Sequence, residues 1–297
     1  MTPHPPEAVE PPEPVEPPQG AGAPTRDAAE APGTAAERRE DTSVGGVQLT
    51  SWTSWVGRWI ARFGHGIGDW LGPYAALVIT LAIGAAITSA LTFLAAAVYD
   101  AVTDEDGVAG IDRPVLDAIL TIRDPTANAV ITGFTDLAGT IGMPLVAVTA
   151  LLILSIRRRS WTPAVLVVAT GIGSLLMTVA GKMLIGRDRP PIADAVPPYE
   201  VSASFPSGHT LNAVALLGVI AYLLILRRES ALARAAIVIV GVIATILIAA
   251  SRVYLGHHWV TDVIAGWLLG AAWLALVITA HRVYLTVRVR REERSAA

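Results

Sequence analysis

Cysteine is absent from the 297-residue chain. That excludes disulfides, a thiolate nucleophile and any cysteine-ligated metal centre. Charge is scarce as well: Asp, Glu, Lys and Arg make up 16% of the residues, where a soluble domain carries about 25%. Net charge is −3, and nine acids against three bases in the first fifty residues leave the remainder at only +3. No basic surface of the kind that draws nucleic acid is present. The N-terminus lacks the basic-then-apolar layout of a signal peptide. The period-two alternation of a membrane β-barrel is missing too.

What is present is apolar sequence, 53% of the chain, concentrated after residue 70. Residues 1–50 are rich in Pro, Glu, Ala and Gly and bury too little apolar surface to offset their chain entropy, so they read as a disordered tail; a Pro-rich docking segment is the other reading. In 51–70, Trp52, Trp55, Trp59 and Phe63 recur every three or four residues with Arg58 and Arg62 between them. That spacing suits an amphipathic helix in the headgroup region, the plainer alternative being a linker. Residues 71–285 hold six stretches long enough to span a bilayer, near 74–98, 138–156, 162–185, 208–226, 232–252 and 261–281. Helices are expected, because a spanning segment must satisfy its own backbone. The more polar 101–137 reads as two short extramembrane helices. Asp112 before Pro114, and Asp124 before Pro125, are the start signals. Residues 286–297 form a basic cytoplasmic tail.

Arg58 and Arg62, Arg157–Arg159, Arg227 and Arg228, and Arg282 through Arg291 all fall on one side of such a six-span chain. The positive-inside rule makes that side cytoplasmic and puts both termini there. Lys182, Arg187, Arg189 and Arg252 then lie on the outer side, against the rule, which invites a functional explanation.

Three groups of residues meet on that outer side. Lys182 is followed after six residues by Arg189-Pro190. Convergent cations suit a phosphate, and the arginine fork matches two of its oxygens. Taken alone, Lys182 and Arg187 serve equally well as side chains snorkelling to headgroups. Pro206-Ser207-Gly208-His209 opens the fourth span. A helix N-terminus binds anions, Gly208 admits a ligand to the backbone, and His209 can donate a proton near neutral pH. A simple Ser207 N-cap is the alternative. Ser251-Arg252 is followed by His258 and then by Asp262. On a helix, positions four apart share a face, so Asp262 can fix the tautomer of His258 and free its other nitrogen. His257, one residue off, is expected to be structural or headgroup-facing.

The series Lys-x6-Arg-Pro, Pro-Ser-Gly-His and Ser-Arg-x5-His-x3-Asp resembles the signature of the type 2 phosphatidic acid phosphatase superfamily, to which glucose-6-phosphatase and vanadium haloperoxidases also belong. All three motifs are complete and in order. Phe205 and the run from Asp262 to Gly266 match too, and the likeness covers about residues 74–281. It implies an all-α bundle of six transmembrane helices with short extramembrane helices between spans one and two. It further implies that His258 is the nucleophile forming a phosphohistidine, that Asp262 orients it, and that His209 protonates the leaving group. Lys182, Arg189, Ser207, the Gly208 N–H and Arg252 would hold the phosphoryl oxygens. Phosphoryl transfer mostly needs positioning and charge stabilisation, which cations supply. With no His-Glu-x-x-His and no dense carboxylate cluster, neither metal nor other cofactor is expected.

The expected activity is hydrolysis of a membrane lipid phosphate or diphosphate: phosphatidic acid, phosphatidylglycerol phosphate or a polyprenyl diphosphate. The expected location is the plasma (inner) membrane, with the site on the non-cytoplasmic face and the lipid bilayer as surroundings. Two alternatives stand beside it. One is a phosphotransferase that passes the phosphoryl group to an alcohol; the other is a lipid-phosphate binder or transporter that needs no nucleophile. The loop Pro191–Ser204, with Tyr199 and Glu200, shapes the mouth or is inert. Oligomeric state is not readable from the sequence.

Overall fold

The computed structural model describes residues 43–44, 47–48 and 75–296, residue 105 excepted. The interfacial helix expected at 51–70 lies outside the described residues, as does most of the 1–50 tail. The first described elements are a two-residue antiparallel pair, β1 (Ser43–Val44) with β2 (Val47–Gln48). Every other described element is helical: α1 (Ala75–Thr103), α2 (Asp112–Ile122), α3 (Pro125–Asp136), α4 (Gly142–Arg158), α5 (Thr162–Ile185), α6 (Gly208–Ile225), α7 (Ala231–Tyr254) and α8 (Val260–Ala296), with 3-10 turns at Gly107–Ile111 and Ile192–Asp194.

The six apolar stretches correspond to α1 and α4–α8. Five of these, α1 and α5–α8, are long and apolar enough to cross a membrane, and α4 is shorter at 17 residues. Burial supports a lipid setting. Phe93, Met183, Leu184 and Leu232 are each more than 70% exposed, and Val238, Ile239, Val240, Ile243, Ile246 and Leu247 leave most of α7 bare. A water-soluble monomer rarely shows apolar faces of that extent. The chain is an integral membrane protein.

The core gathers around α6. Ala213, Leu216, Val219, Tyr222 and Leu223 pack with Met143, Ala147 and Leu154 of α4, Leu166 and Val167 of α5, Ile248 of α7 and Val277 of α8. α8 packs most heavily on α1 and then on α6. The approach to α6 is close because Gly266 and Gly270 stand one turn apart on α8. A Cβ there would come 2.8 Å from the Ser207 carbonyl and 2.7 Å from that of Leu211. Small residues four apart let two membrane helices bring their backbones together. Here they bring the start of α6 onto the start of α8, and the Ser207 N–H reaches the Asp262 carbonyl at 3.0 Å.

The two polar starts between α1 and α4 behave differently. Asp124 caps α3 as expected, accepting the N–H groups of Thr126 (2.9 Å) and Ala127 (3.0 Å), with Pro125 following. Asp112 does not cap α2. It is the first helical residue, and its carboxylate leaves its own helix to accept the Thr261 N–H at the start of α8, 2.9 Å away. The first N–H groups of a spanning helix have no acceptor within it and claim the carboxylate, a preference no local pattern around residue 112 reveals.

Candidate active site

The C-terminal ends of α5 and α7, the starts of α6 and α8, and the loop 186–207 deliver the polar residues to one place. Lys182, in the last turn of α5, donates to Ser202 Oγ (3.2 Å) and to the Ala203 carbonyl. Arg189 shares both partners and adds the carbonyls of Ser202 (2.7 Å) and His257 (2.5 Å). Arg252, in the last turn of α7, is almost wholly buried at 2% exposure, with Nη1 3.5 Å from Thr135 Oγ1. A cation in the last turn also complements the helix dipole.

Between these cations stands Glu200. One of its oxygens accepts from Arg252 and the other lies 2.7 Å from Arg189 Nη2; His209 Nδ1 is 3.9 Å from the former. Burial alone would raise the Glu200 pKa, but Arg252, His258 and Arg189 outweigh it and hold the carboxyl at about 2. Burial pushes the Arg189 pKa down, with Glu200 opposing. Even so a guanidinium stays charged at neutral pH. The pocket therefore holds one carboxylate where cations from three separate elements converge.

His258 and Asp262 meet, though not along one helix. His258 sits in the turn before α8, and Asp262 is in its first turn. His258 Nδ1 is 3.4 Å from Asp262 Oδ2, and Arg189 Nη1 is 3.4 Å from His258 Nε2. A guanidinium has only donors, so the nitrogen facing it is the bare one and the proton resides on Nδ1, toward the carboxylate. Burial lowers the His258 pKa to about 4 despite the hydrogen bond to Asp262 and its charge, with Arg189 and Arg252 lowering it further. The imidazole is neutral at pH 7.

Asp262 Oδ2 also accepts Ser204 Oγ (2.5 Å) and the Trp259 N–H (2.9 Å). The second bond is a carboxylate reaching back to the residue before its helix, as in a capping box. Ser207 precedes α6 with extended backbone, but its hydroxyl makes no cap. It accepts from Thr210 Oγ1 at 3.1 Å and is fully buried. Gly208 opens α6, and a Cβ there would meet Thr178 Cγ2 at 2.8 Å. His257 turns away from the imidazole of His258, and its Nε2 lies 2.6 Å from the Val196 carbonyl.

Seven of the eight residues singled out in the sequence thus join one network, and Gly208 lies beside it as the neighbour of Ser207 and His209. Four contributors were not recognised there. Glu200 was read only as part of the mouth, and Ser204 only as the end of its loop. Arg187 is legible in the sequence only as an outer-side cation that either serves a function or snorkels to headgroups, and Asp112 only as a helix cap. Arg187 lay inside the first motif, where its spacing two residues before Arg189 was a usable signal. Asp112 has none, since its partners Arg187 and Thr261 lie 75 and 149 positions away.

A family model, the PAP2 superfamily, matches residues 145–284. Phosphatidylglycerophosphatase B of Bacillus subtilis (strain 168) is 37% identical over 188 residues, which is 62% of this chain and 90% of that protein. Undecaprenyl-diphosphatase of Sulfolobus acidocaldarius is 39% identical over 80 residues, 27% of this chain and 34% of that protein. The fold resembles the crystal structure of a transmembrane PAP2-type phosphatidylglycerolphosphate phosphatase from Bacillus subtilis, with a TM-score of 0.61 and 30% identity, covering 65% of this chain and 95% of that one. Complete motifs, a matching helical membrane fold and an identity that extends over nine-tenths of a relative place this chain in the PAP2 superfamily.

Proposed function

We propose that this chain is a phosphatase that removes the terminal phosphate of a membrane lipid through a phosphohistidine on His258. The carrying observation is the convergence of Arg189 and Arg252 on the Glu200 carboxylate, beside the bare Nε2 of His258. An anion is bound where a nucleophile waits. A phosphoryl group in that place would take its charge stabilisation from Lys182, Arg189 and Arg252, and hydrogen bonds from the start of α6. His258 Nε2 attacks phosphorus while Asp262 accepts the Nδ1–H and holds the ring. His209 gives its proton to the departing oxygen. Water then gives a proton back to His209 and attacks the phosphohistidine, which breaks the N–P bond, releases inorganic phosphate and restores both imidazoles. No metal is assigned to these steps.

The names of the relatives point to phosphatidylglycerol phosphate first, because that match spans nearly the whole relative, and to a polyprenyl diphosphate second. Six spans follow if α4 is counted, since 17 residues reach the lower end of the range of roughly 17–25 residues for a crossing. The arginine clusters then put both termini in the cytoplasm and the site on the outer face of the plasma membrane.

The test is phosphate release by purified protein from a panel of lipid phosphates and diphosphates, with His258→Ala alongside and EDTA in a parallel series. Loss of release in the variant and indifference to EDTA are expected. Release undiminished in His258→Ala would sink the assignment. Appearance of a phosphorylated alcohol in place of free phosphate would turn it into phosphotransfer.

A further inference from the structure

Asp112 belongs to none of the three motifs and lies outside the residues that match the family model. Yet its carboxylate is buried, 5% exposed, behind the catalytic pair. Oδ1 accepts the Thr261 N–H at 2.9 Å; Oδ2 accepts Thr261 Oγ1 at 2.6 Å and Arg187 Nη2 at 2.8 Å. Arg187 uses its other terminal nitrogen on Asp262 Oδ1 at 2.7 Å and Thr261 Oγ1 at 2.8 Å. The result is an unbroken series of carboxylate, guanidinium, carboxylate and imidazole, drawn from α2, the loop after α5, and α8 with its preceding turn.

We propose that Asp112 and Arg187 are positioning residues for the reaction, clamping Asp262 Oδ1 so that Oδ2 faces His258 Nδ1. This rests on the phosphatase reading above. Two buried carboxylates would repel each other without a cation between them. A planar guanidinium satisfies both and fixes their separation and plane, which a lysine does not. The Trp259 ring, 5.6 Å from the Arg187 guanidinium carbon, closes off its face. With Oδ1 held in this way, rotation of the Asp262 carboxylate would break a charged bond. Held at only one end, a carboxylate leaves its imidazole free to drift from the line of attack, and small misplacements are costly in rate.

The clamp also sets charge. Asp262 of α8, Arg189 and Glu200 of the loop, Arg252 of α7 and His209 of α6 face His258, Lys182 of α5 faces Asp262, and Arg187 acts on His258 through Asp262. Removing the Arg187 charge makes the pair take up a proton at higher pH. Removing the Asp112 charge does the opposite. A role in stability alone moves neither.

The experiment compares phosphate release by wild type, Arg187→Gln, Arg187→Lys and Asp112→Asn from about pH 3.5 to 8, with thermal unfolding as the check on folding. In Arg187→Gln, kcat is expected to fall about 10–100-fold, as loss of an outer-shell partner costs elsewhere, with KM nearly unchanged. Its acid limb moves to higher pH. Arg187→Lys recovers part of kcat and brings the limb back. Asp112→Asn keeps size and an acceptor for the Thr261 N–H, and its limb moves to lower pH. An unmoved limb in a folded variant, or wild-type kcat in Arg187→Gln, overturns the proposal. Should Arg187→Gln fail to fold, an unmoved limb in Asp112→Asn overturns it alone. A wild-type protein without turnover removes the phosphatase reading, and with it the reaction these residues serve.

Discussion

Glu200 lies 2.7 Å from Arg189 and turns its second oxygen onto Arg252, so the site carries an internal carboxylate among the cations assigned to substrate. An incoming phosphoryl group has to displace it. Glu200→Gln removes a competing negative charge while keeping the shape. Orthovanadate and inorganic phosphate should then inhibit at about tenfold lower concentration, roughly 1.4 kcal/mol of competition relieved. Inhibitor titration reads the outcome. Unchanged or weaker inhibition would assign Glu200 to holding Arg189 and Arg252 in place.

Asp262 accepts from the Nδ1 side of His258 and so keeps Nε2 bare. Asp262→Asn is expected to lower kcat by about a thousandfold or more, since an amide in that position disfavours the required tautomer. Single-turnover kinetics with a labelled lipid phosphate checks this. Phosphohistidine accumulating at the wild-type rate in the variant would contradict it.

His209 is assigned to the leaving group, so its importance should depend on that group. His209→Asn should lose about 10²–10⁴-fold on a natural lipid phosphate. On a nitrophenyl phosphate, whose phenolate leaves without a proton, much of the loss should disappear. Equal losses on both substrates would place His209 in binding instead.

Acidification acts through the buried His258. Its folded pKa of about 4 lies below the ordinary 6.5. Above 6.5 neither state is protonated and the stability contribution is complete. As pH falls from 6.5 toward 4 the unfolded chain takes up a proton that the folded chain refuses, and stability declines. Activity should persist until His258 itself protonates near 4. Glu200, held at about 2, remains ionised through this window. Thermal midpoints and phosphate release measured in parallel from pH 7.5 to 4 should therefore diverge, stability falling first.

Gly266 lets the Ser207 carbonyl approach α8, where a Cβ would stand 2.8 Å away. Gly266→Val should cost about 1–3 kcal/mol through overpacking. It should also lower turnover, because the displaced backbone carries Ser207 and Gly208. A thermal midpoint unchanged from wild type would show that α6 and α8 can part without cost.

The spans were legible because a membrane makes composition decisive: twenty apolar residues in a row have few other uses. Their ends were less so. α4 starts at Gly142 rather than near 138, because residues 137–141 turn before the helix begins. α8 runs past the expected end of its span to Ala296, since loss of apolar character ends a crossing without ending a helix.

The sequence by itself determined which side chains meet at the candidate site. Lys182, Arg189, Ser207, Gly208, His209, Arg252, His258 and Asp262 all sit at short, fixed distances from helix ends, and alternating spans send those ends to one face. Only the tertiary structure decided how their charges are paired. Glu200 among the arginines, and Asp112 reaching across to Arg187 and Thr261, join residues far apart in the chain. Local spacing governs what a helix presents on its own face. A buried charge takes whichever partner the packed bundle brings within reach, and that depends on every helix at once.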